Sequence, residues 1–317
     1  MKQLFKILKT IFLCIGVLVI IVTFLFGYRD IPLAELKVKY AQDPSSFVSV
    51  DGMDVHFRDE GELNNSIPIV LIHGTGSSLH TFDDWASSLK NEHRVIRMDL
   101  PGYGLTGPFP ERDYSIDKYI NFIKQFLDKK GIDQCIIGGN SLGGHIAWKF
   151  TATYPNMVKK LILINAAGYP YKAKSTPLAF RIAKIPLIKN IFTFITPKSV
   201  ARSSVENVYA DKSKVTDELI DRYFELTLRP GNRQAFIDRL SAKNNPEAYK
   251  QISSILQPTL ILWGYQDLLI PVENSELFHQ DLPNNTLVIL ENVGHVPMEE
   301  SPSRSLEVVV SFLKNID

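Results

Sequence analysis

Apolar residues fall along this chain in three different patterns. The first is a continuous run over residues 11–26, broken in polarity only by Gly16 and Thr23. Extended to Tyr28, it covers about 18 residues, near the lower limit for crossing a bilayer as a helix. Lys2, Lys6 and Lys9 precede it on a stretch that also holds Leu4, Phe5, Ile7 and Leu8, so their ammonium groups can snorkel while the helix continues. The run is longer than the apolar core of a secretory signal, and no small-x-small cleavage pattern follows it before Pro32. The pattern predicts an uncleaved single-pass membrane anchor over residues 1–30, with the N-terminus cytoplasmic and the rest of the chain outside the cytoplasm. Arg29, Lys37 and Lys39 on the far side weaken that charge bias without reversing it.

The second pattern alternates short apolar runs with amphipathic ones. After a polar linker at 31–46, residues 47–50 and 55–58 read as strands joined across Asp51-Gly52, a hairpin signal. Apolar strands at 67–73, 94–100, 135–139 and 160–165 then alternate with helices at 81–90, 115–130 and 143–154. In the helix from Ser115, residues Ile116, Tyr119, Ile120, Ile123, Phe126 and Leu127 share one face, and Gly131 supplies the stop. The same alternation returns late in the chain, with strands at 259–263 and 286–290 and helices at 271–282 and 303–316. Strands separated by helices imply an α/β class: a mostly parallel sheet with helices on both faces.

The third pattern lies between these two halves, at 168–258. Pro170, Pro177, Pro186, Pro197, Pro230 and Pro246 divide it into short helical stretches without a convincing strand. One domain over 47–317 is predicted, its sheet interrupted by a helical insertion at about 169–250.

Composition narrows the chemistry. The 317 residues are 45% hydrophobic, enough for a sizeable core, and a net charge of +1 offers no field to attract nucleic acid. Cys14 and Cys135 are the only cysteines; both sit in apolar runs and read as buried hydrophobes, which rules out a disulfide framework.

Gly139-Asn140-Ser141-Leu142-Gly143 falls where an apolar strand ends and a helix begins, the context that a G-x-S-x-G nucleophile elbow needs. The turn must be so tight that the serine takes strained backbone angles, so small residues have to flank it. Ser141 is therefore the candidate nucleophile. His73-Gly74-Thr75-Gly76 follows the 67–72 run, and its placement beside the elbow makes the Thr75 N–H one candidate oxyanion donor. The N–H of Leu142, at the start of a helix, is the other. Of the seven histidines, His295 in Glu291-Asn292-Val293-Gly294-His295 follows the last strand and is the candidate base. His56, His80, His93, His145 and His279 lie on surface-like stretches and read as solvated. Asp267 ends Trp263-Gly264-Tyr265-Gln266-Asp267 after the preceding strand and is the candidate acid. The loop after 160–164 could also carry an acid, but it holds Asn165 with no carboxylate nearby.

With HGTG, DLPGYG, GNSLGG, WGYQD and VGH in this order, residues 46–316 resemble the α/β-hydrolase superfamily. The resemblance implies an eight-stranded sheet, a triad of Ser141, Asp267 and His295, and a cap formed by the insertion. Residues 99–104 are similar to a loop of that superfamily and read as a structural turn. Haloalkane dehalogenases and epoxide hydrolases carry aspartate at the elbow, so Ser141 disfavours both activities. Leu178, Phe180, Ile182, Ile185, Leu187, Ile188, Ile191, Phe192, Phe194 and Ile195 give the cap an apolar character suited to an acyl chain. A lipid-like or acylglycerol ester is the expected substrate, as for the membrane-anchored monoacylglycerol lipases that share this layout, with no metal or organic cofactor required. Two alternatives remain. One is a C–C bond hydrolase of the meta-cleavage type, although Val296 stands where those enzymes often have tryptophan. The other is a non-catalytic binding protein on a hydrolase scaffold.

Overall fold

The computed structural model describes residues 2–62, 67–186 and 192–314. Its centre is an eight-stranded sheet: β1 (Ser45–Val50), β2 (Met53–Glu60), β3 (Ile69–Ile72), β4 (Val95–Met98), β5 (Cys135–Asn140), β6 (Val158–Ile164), β7 (Thr259–Gly264) and β8 (Asn285–Leu290). The spatial order is β1-β2-β4-β3-β5-β6-β7-β8. Strand β2 runs antiparallel to both neighbours, and every other pairing is parallel. The hairpin forms as expected, with Asp51 (φ 50°) and Gly52 (φ 76°) both left-handed, the twist that suits a two-residue connection.

Strands β3, β4, β5 and β7 are buried along their whole length, as parallel strands covered on both faces must be. The helices Ile116–Lys129, Leu142–Thr153 and Glu273–Asp281 pack against one face around Phe126, Trp148 and Phe278. Asp83–Leu89 and Pro302–Lys314 cover the other around Trp85 and Val309. Ser115 caps the Ile116–Lys129 helix by accepting from the Lys118 N–H, and Gly131 (φ 65°) follows its end. Chain order reverses at β3, which has β4 on one side and β5 on the other. Loops leaving β3 and β5 diverge there, opening a crevice at the carboxyl ends of the strands.

Several expectations are corrected. The segment at 31–46 is not a mere linker. It contains the helix Leu33–Tyr40, whose Leu36 and Tyr40 are buried, because Leu36 joins a small cluster with Leu105 and Leu226. His56 and His80 are buried rather than solvated. His56 reaches Asp99 at 2.7 Å and Ser45 at 2.9 Å, while His80 reaches the Tyr40 carbonyl at 3.0 Å, and these partners compensate their burial. Cys14 is exposed, since it lies on the N-terminal helix Lys2–Phe26. Phe12 and Leu13 on that helix are 80% and 68% exposed. Among the described residues no helix is long and apolar enough to cross a membrane. The side chains at positions 15 and 18–26, which fall within the expected anchor, lie outside the described residues.

Candidate active site

Ser141 occupies the single residue between β5 and the Leu142–Thr153 helix, at φ 55° and ψ −113°. Such angles cost a side-chain-bearing residue about 1–3 kcal/mol, so the surroundings must enforce them. They do so through the backbone. The Ser141 N–H donates to the Ile164 carbonyl at 3.1 Å, and the Ser141 carbonyl accepts from Ala167 at 3.1 Å and His145 at 3.0 Å. Packing adds to this, because a Cβ at Gly139 would lie 2.3 Å from the Gly143 backbone and one at Gly143 only 2.0 Å from the Ile72 carbonyl oxygen.

The other two triad candidates meet at the tips of neighbouring strands. Asp267 follows β7 and is 1% exposed; His295 follows β8 and is 4% exposed. The imidazole Nδ1 lies 2.6 Å from Asp267 Oδ2. The Asp267 carboxylate also accepts from the N–H groups of Leu269 (2.8 Å) and Ile270 (3.0 Å) and from Asn165 Nδ2 (2.7 Å). A carboxylate so held can keep the Nδ1–H tautomer, leaving Nε2 as the basic nitrogen. Ser141 and His295 line the same cavity, and no direct hydrogen bond joins them among the described residues. Nucleophile–base bonds are often loose without substrate.

Sequence reasoning passed over the groups that hold these side chains. Asn165, in the left-handed region at φ 43°, donates to Asp267 and accepts from the Gly264 N–H at 3.2 Å, fastening the acid to the tip of β7. Asn140 donates to the His295 carbonyl at 2.9 Å and to that of Ile164 at 3.1 Å. Glu300 accepts from the Gly294 N–H at 2.6 Å. The available signal was positional: Asn140 ends β5 and Asn165 immediately follows β6.

The loop after β3 reaches the elbow directly, since a Cβ on Gly74 would lie 3.2 Å from that of Ser141. Thr75 lines the cavity, and Leu142 is the first residue of its helix. Among the described residues neither of their N–H groups is taken up by a hydrogen bond within the chain. His73 fixes this loop from behind, with Nδ1 2.8 Å from the Gly74 carbonyl and Nε2 accepting from the Leu100 N–H at 2.9 Å. Burial pushes the His73 imidazole below its ordinary pKa, in keeping with this neutral, structural role. Asp99 organises the turn that follows β4, accepting from Leu79 and Leu105 N–H groups at 2.7 Å each. Burial alone would raise its carboxyl, but the charge and hydrogen bond of His56 outweigh that and hold it below the usual carboxylate range.

Comparison with known proteins agrees with this architecture. Residues 67–302 match the model of the alpha/beta hydrolase fold family. The chain belongs to the α/β-hydrolase family. A monoacylglycerol lipase of Bos taurus is 29% identical over 273 residues, covering 81% of this chain and 78% of that protein. A 2-hydroxy-6-oxo-2,4-heptadienoate hydrolase of Pseudomonas putida is 26% identical over 275 residues, covering 84% and 95%. In fold, the chain is similar to a bacterial membrane phospholipase A, with a TM-score of 0.73 at 24% identity over 99% of this chain and 98% of that one.

The insertion of this α/β-hydrolase carries the helices Leu178–Ala183, Lys198–Val208, Asp217–Thr227 and Asn232–Ser241, and together they roof the cavity. Phe180, Phe192, Val205, Phe224 and Phe236 line it. Of the apolar residues expected to hold an acyl chain, Phe180 and Phe192 therefore face the cavity, whereas Ile185 and Phe194 are exposed because they lie on the outside of the cap. Leu187, Ile188 and Ile191 lie outside the described residues. The cap is fastened to the candidate base: the His295 N–H donates to the Val208 carbonyl at 2.8 Å, and Glu299 accepts from Tyr209, Tyr223 and Arg222 at 2.7–3.0 Å.

Proposed function

We propose that this hydrolase is a serine esterase that cleaves lipid-like carboxylic esters, acylglycerols among them, through an acyl-enzyme. One observation carries the reading: a serine held at strained angles shares an apolar cavity with a histidine whose Nδ1 is occupied by a buried carboxylate. Ser141 Oγ attacks the ester carbonyl while His295 Nε2 takes its proton, and the Thr75 and Leu142 N–H groups hold the oxyanion. The imidazolium then gives the proton to the departing alkoxide. Water, deprotonated by the same nitrogen, attacks the acyl-enzyme and releases the carboxylic acid and Ser141.

The cavity also favours an ester over a meta-cleavage dienoate. Among the described residues no lysine or arginine lines it to offer a substrate carboxylate a counter-charge, while each acyl methylene placed against Phe180 or Phe192 gains about 0.8 kcal/mol. A fluorophosphonate probe should label the wild-type chain and not Ser141→Ala, and the purified enzyme should turn over esters faster than dienones. Equal labelling of both proteins would leave a non-catalytic binding protein as the better reading.

The N-terminal segment is proposed to anchor the enzyme through residues 11–28, with the catalytic domain outside the cytoplasm. Support comes from the uninterrupted apolar run and from the exposure of Phe12 and Leu13, which gain by entering lipid. The full chain should stay with membranes through an alkaline carbonate wash; its release would contradict the anchor.

A further inference from the structure

Gly76, Ser77, Thr227 and Phe236 line the reaction cavity and also a second, smaller pocket that adjoins it as a side branch across these shared residues. Tyr103 and Asn232 complete the branch, and its volume, about 20 Å³, admits one water-sized group. Tyr103 is 4% exposed and Asn232 3% exposed, yet among the described residues Asn232 Oδ1 has no hydrogen-bond partner, and the Tyr103 hydroxyl, though near the side chains of Thr75 and Tyr119, forms no well-aligned hydrogen bond with either. Burying two unpaired polar atoms beside one small pocket is costly unless something fills it.

The chemistry of that occupant is restricted. Asn232 cannot turn its amide over, because Nδ2 already donates to the carbonyls of Gly104 (3.0 Å) and Leu226 (2.8 Å). Its Oδ1 is therefore a fixed acceptor and needs a donor. Burial pushes the Tyr103 phenol up to about 12, so it remains an O–H that can donate as well as accept. A group that serves both atoms must itself donate and accept. A hydroxyl does so; a methyl or an ester oxygen does not.

We propose that this branch is a subsite for a hydroxyl on the alcohol portion of the substrate, so that the enzyme prefers polyol esters to simple alkyl esters. The inference rests on the ester-hydrolase reading of Ser141. Position supports the assignment to the alcohol side. The branch shares Gly76 and Ser77 with the cavity, directly after the proposed oxyanion donor Thr75, while Phe180 and Phe192 offer the apolar wall for the acyl chain. Residues 99–104, read from sequence as a turn alone, thereby also supply a specificity-determining side chain.

The 2-hydroxyethyl and n-propyl esters of octanoic acid match in shape and differ by a hydroxyl in place of a methyl. For the purified full-length enzyme, kcat/KM should favour the hydroxyethyl ester by about 3- to 10-fold, the range of one neutral hydrogen bond. In Tyr103→Phe that ratio should fall towards one. Because the ratio is taken within each protein, a loss of folded enzyme does not imitate the effect. A wild type with no preference, or a preference that survives Tyr103→Phe, would mean that the branch holds only a bound water and would overturn the proposal. Cleavage of neither ester, with no phosphonate label on Ser141, would instead remove the reading on which the proposal stands.

Discussion

The strand tips and the cap answer to different constraints. At the tips, position is set by backbone and by short, buried side chains: Ser141 is held by three backbone hydrogen bonds, and the Asp267 carboxylate accepts from Leu269, Ile270, Asn165 and His295. In the cap, short helices between prolines present large apolar side chains to the cavity, and side-chain ion pairs such as Lys198–Asp221 and Arg202–Asp217 join neighbouring helices. The tips can tolerate little change, because close-packed backbone has nowhere to relax. The cap can be resized as long as it stays fastened to the tips through Val208 and Glu299. Substitutions in the first region should therefore damage rate, and those in the second should redirect selectivity.

The largest expected effect comes from Ser141→Ala, which should lower kcat on any ester by about 10⁴- to 10⁶-fold with little change in thermal stability. Asp267→Asn should cost about 10⁴-fold in kcat by favouring the wrong imidazole tautomer; near-normal turnover would show that another group orients His295. Gly143→Ala tests packing rather than chemistry. Its methyl would press on the Ile72 carbonyl, and chemical denaturation should register a loss of about 3 kcal/mol or more, whereas an unchanged midpoint would contradict the close approach.

Smaller effects sharpen the division between the regions. Asn165→Ala removes one hydrogen bond from the Asp267 carboxylate and should lower kcat by about tenfold while KM stays near its original value. A rise in KM alone would place Asn165 in substrate binding instead. Phe180→Ala enlarges the cavity without touching the tips, so the optimum acyl length should move towards longer chains, with a severalfold change in relative kcat/KM across a series of esters.

The same division explains what could be read from the sequence. The strand-end positions of Ser141, Asp267 and His295 were legible because each follows an apolar run that forms a parallel strand, and the fold delivers all such ends to one edge. The hairpin at Asp51-Gly52 was legible because turn chemistry is local. Asn140 and Asn165 were not, since an amide at the end of a strand carries no mark of the partner it meets across the sheet. His56 was misjudged for a related reason: it interrupts the outward-facing polar positions of β2, and only the approach of Asp99 and Ser45 makes its burial tolerable. In the cap, composition announced apolar helices, but which residues face the cavity depends on how the helices turn, and Phe194 lies outside although Phe192 lies within.

The proposed acyl transfer requires Ser141, His295 and the two N–H groups to converge upon one reacting atom. A crystal structure of the enzyme inactivated by an alkyl phosphonate tests this directly. The phosphorus should be bonded to Ser141 Oγ, its oxygen should sit about 2.7–3.1 Å from the N–H groups of Thr75 and Leu142, and His295 Nε2 should lie within hydrogen-bond reach of Ser141 Oγ. An adduct on another residue, or a phosphonyl oxygen turned away from both N–H groups, would contradict it.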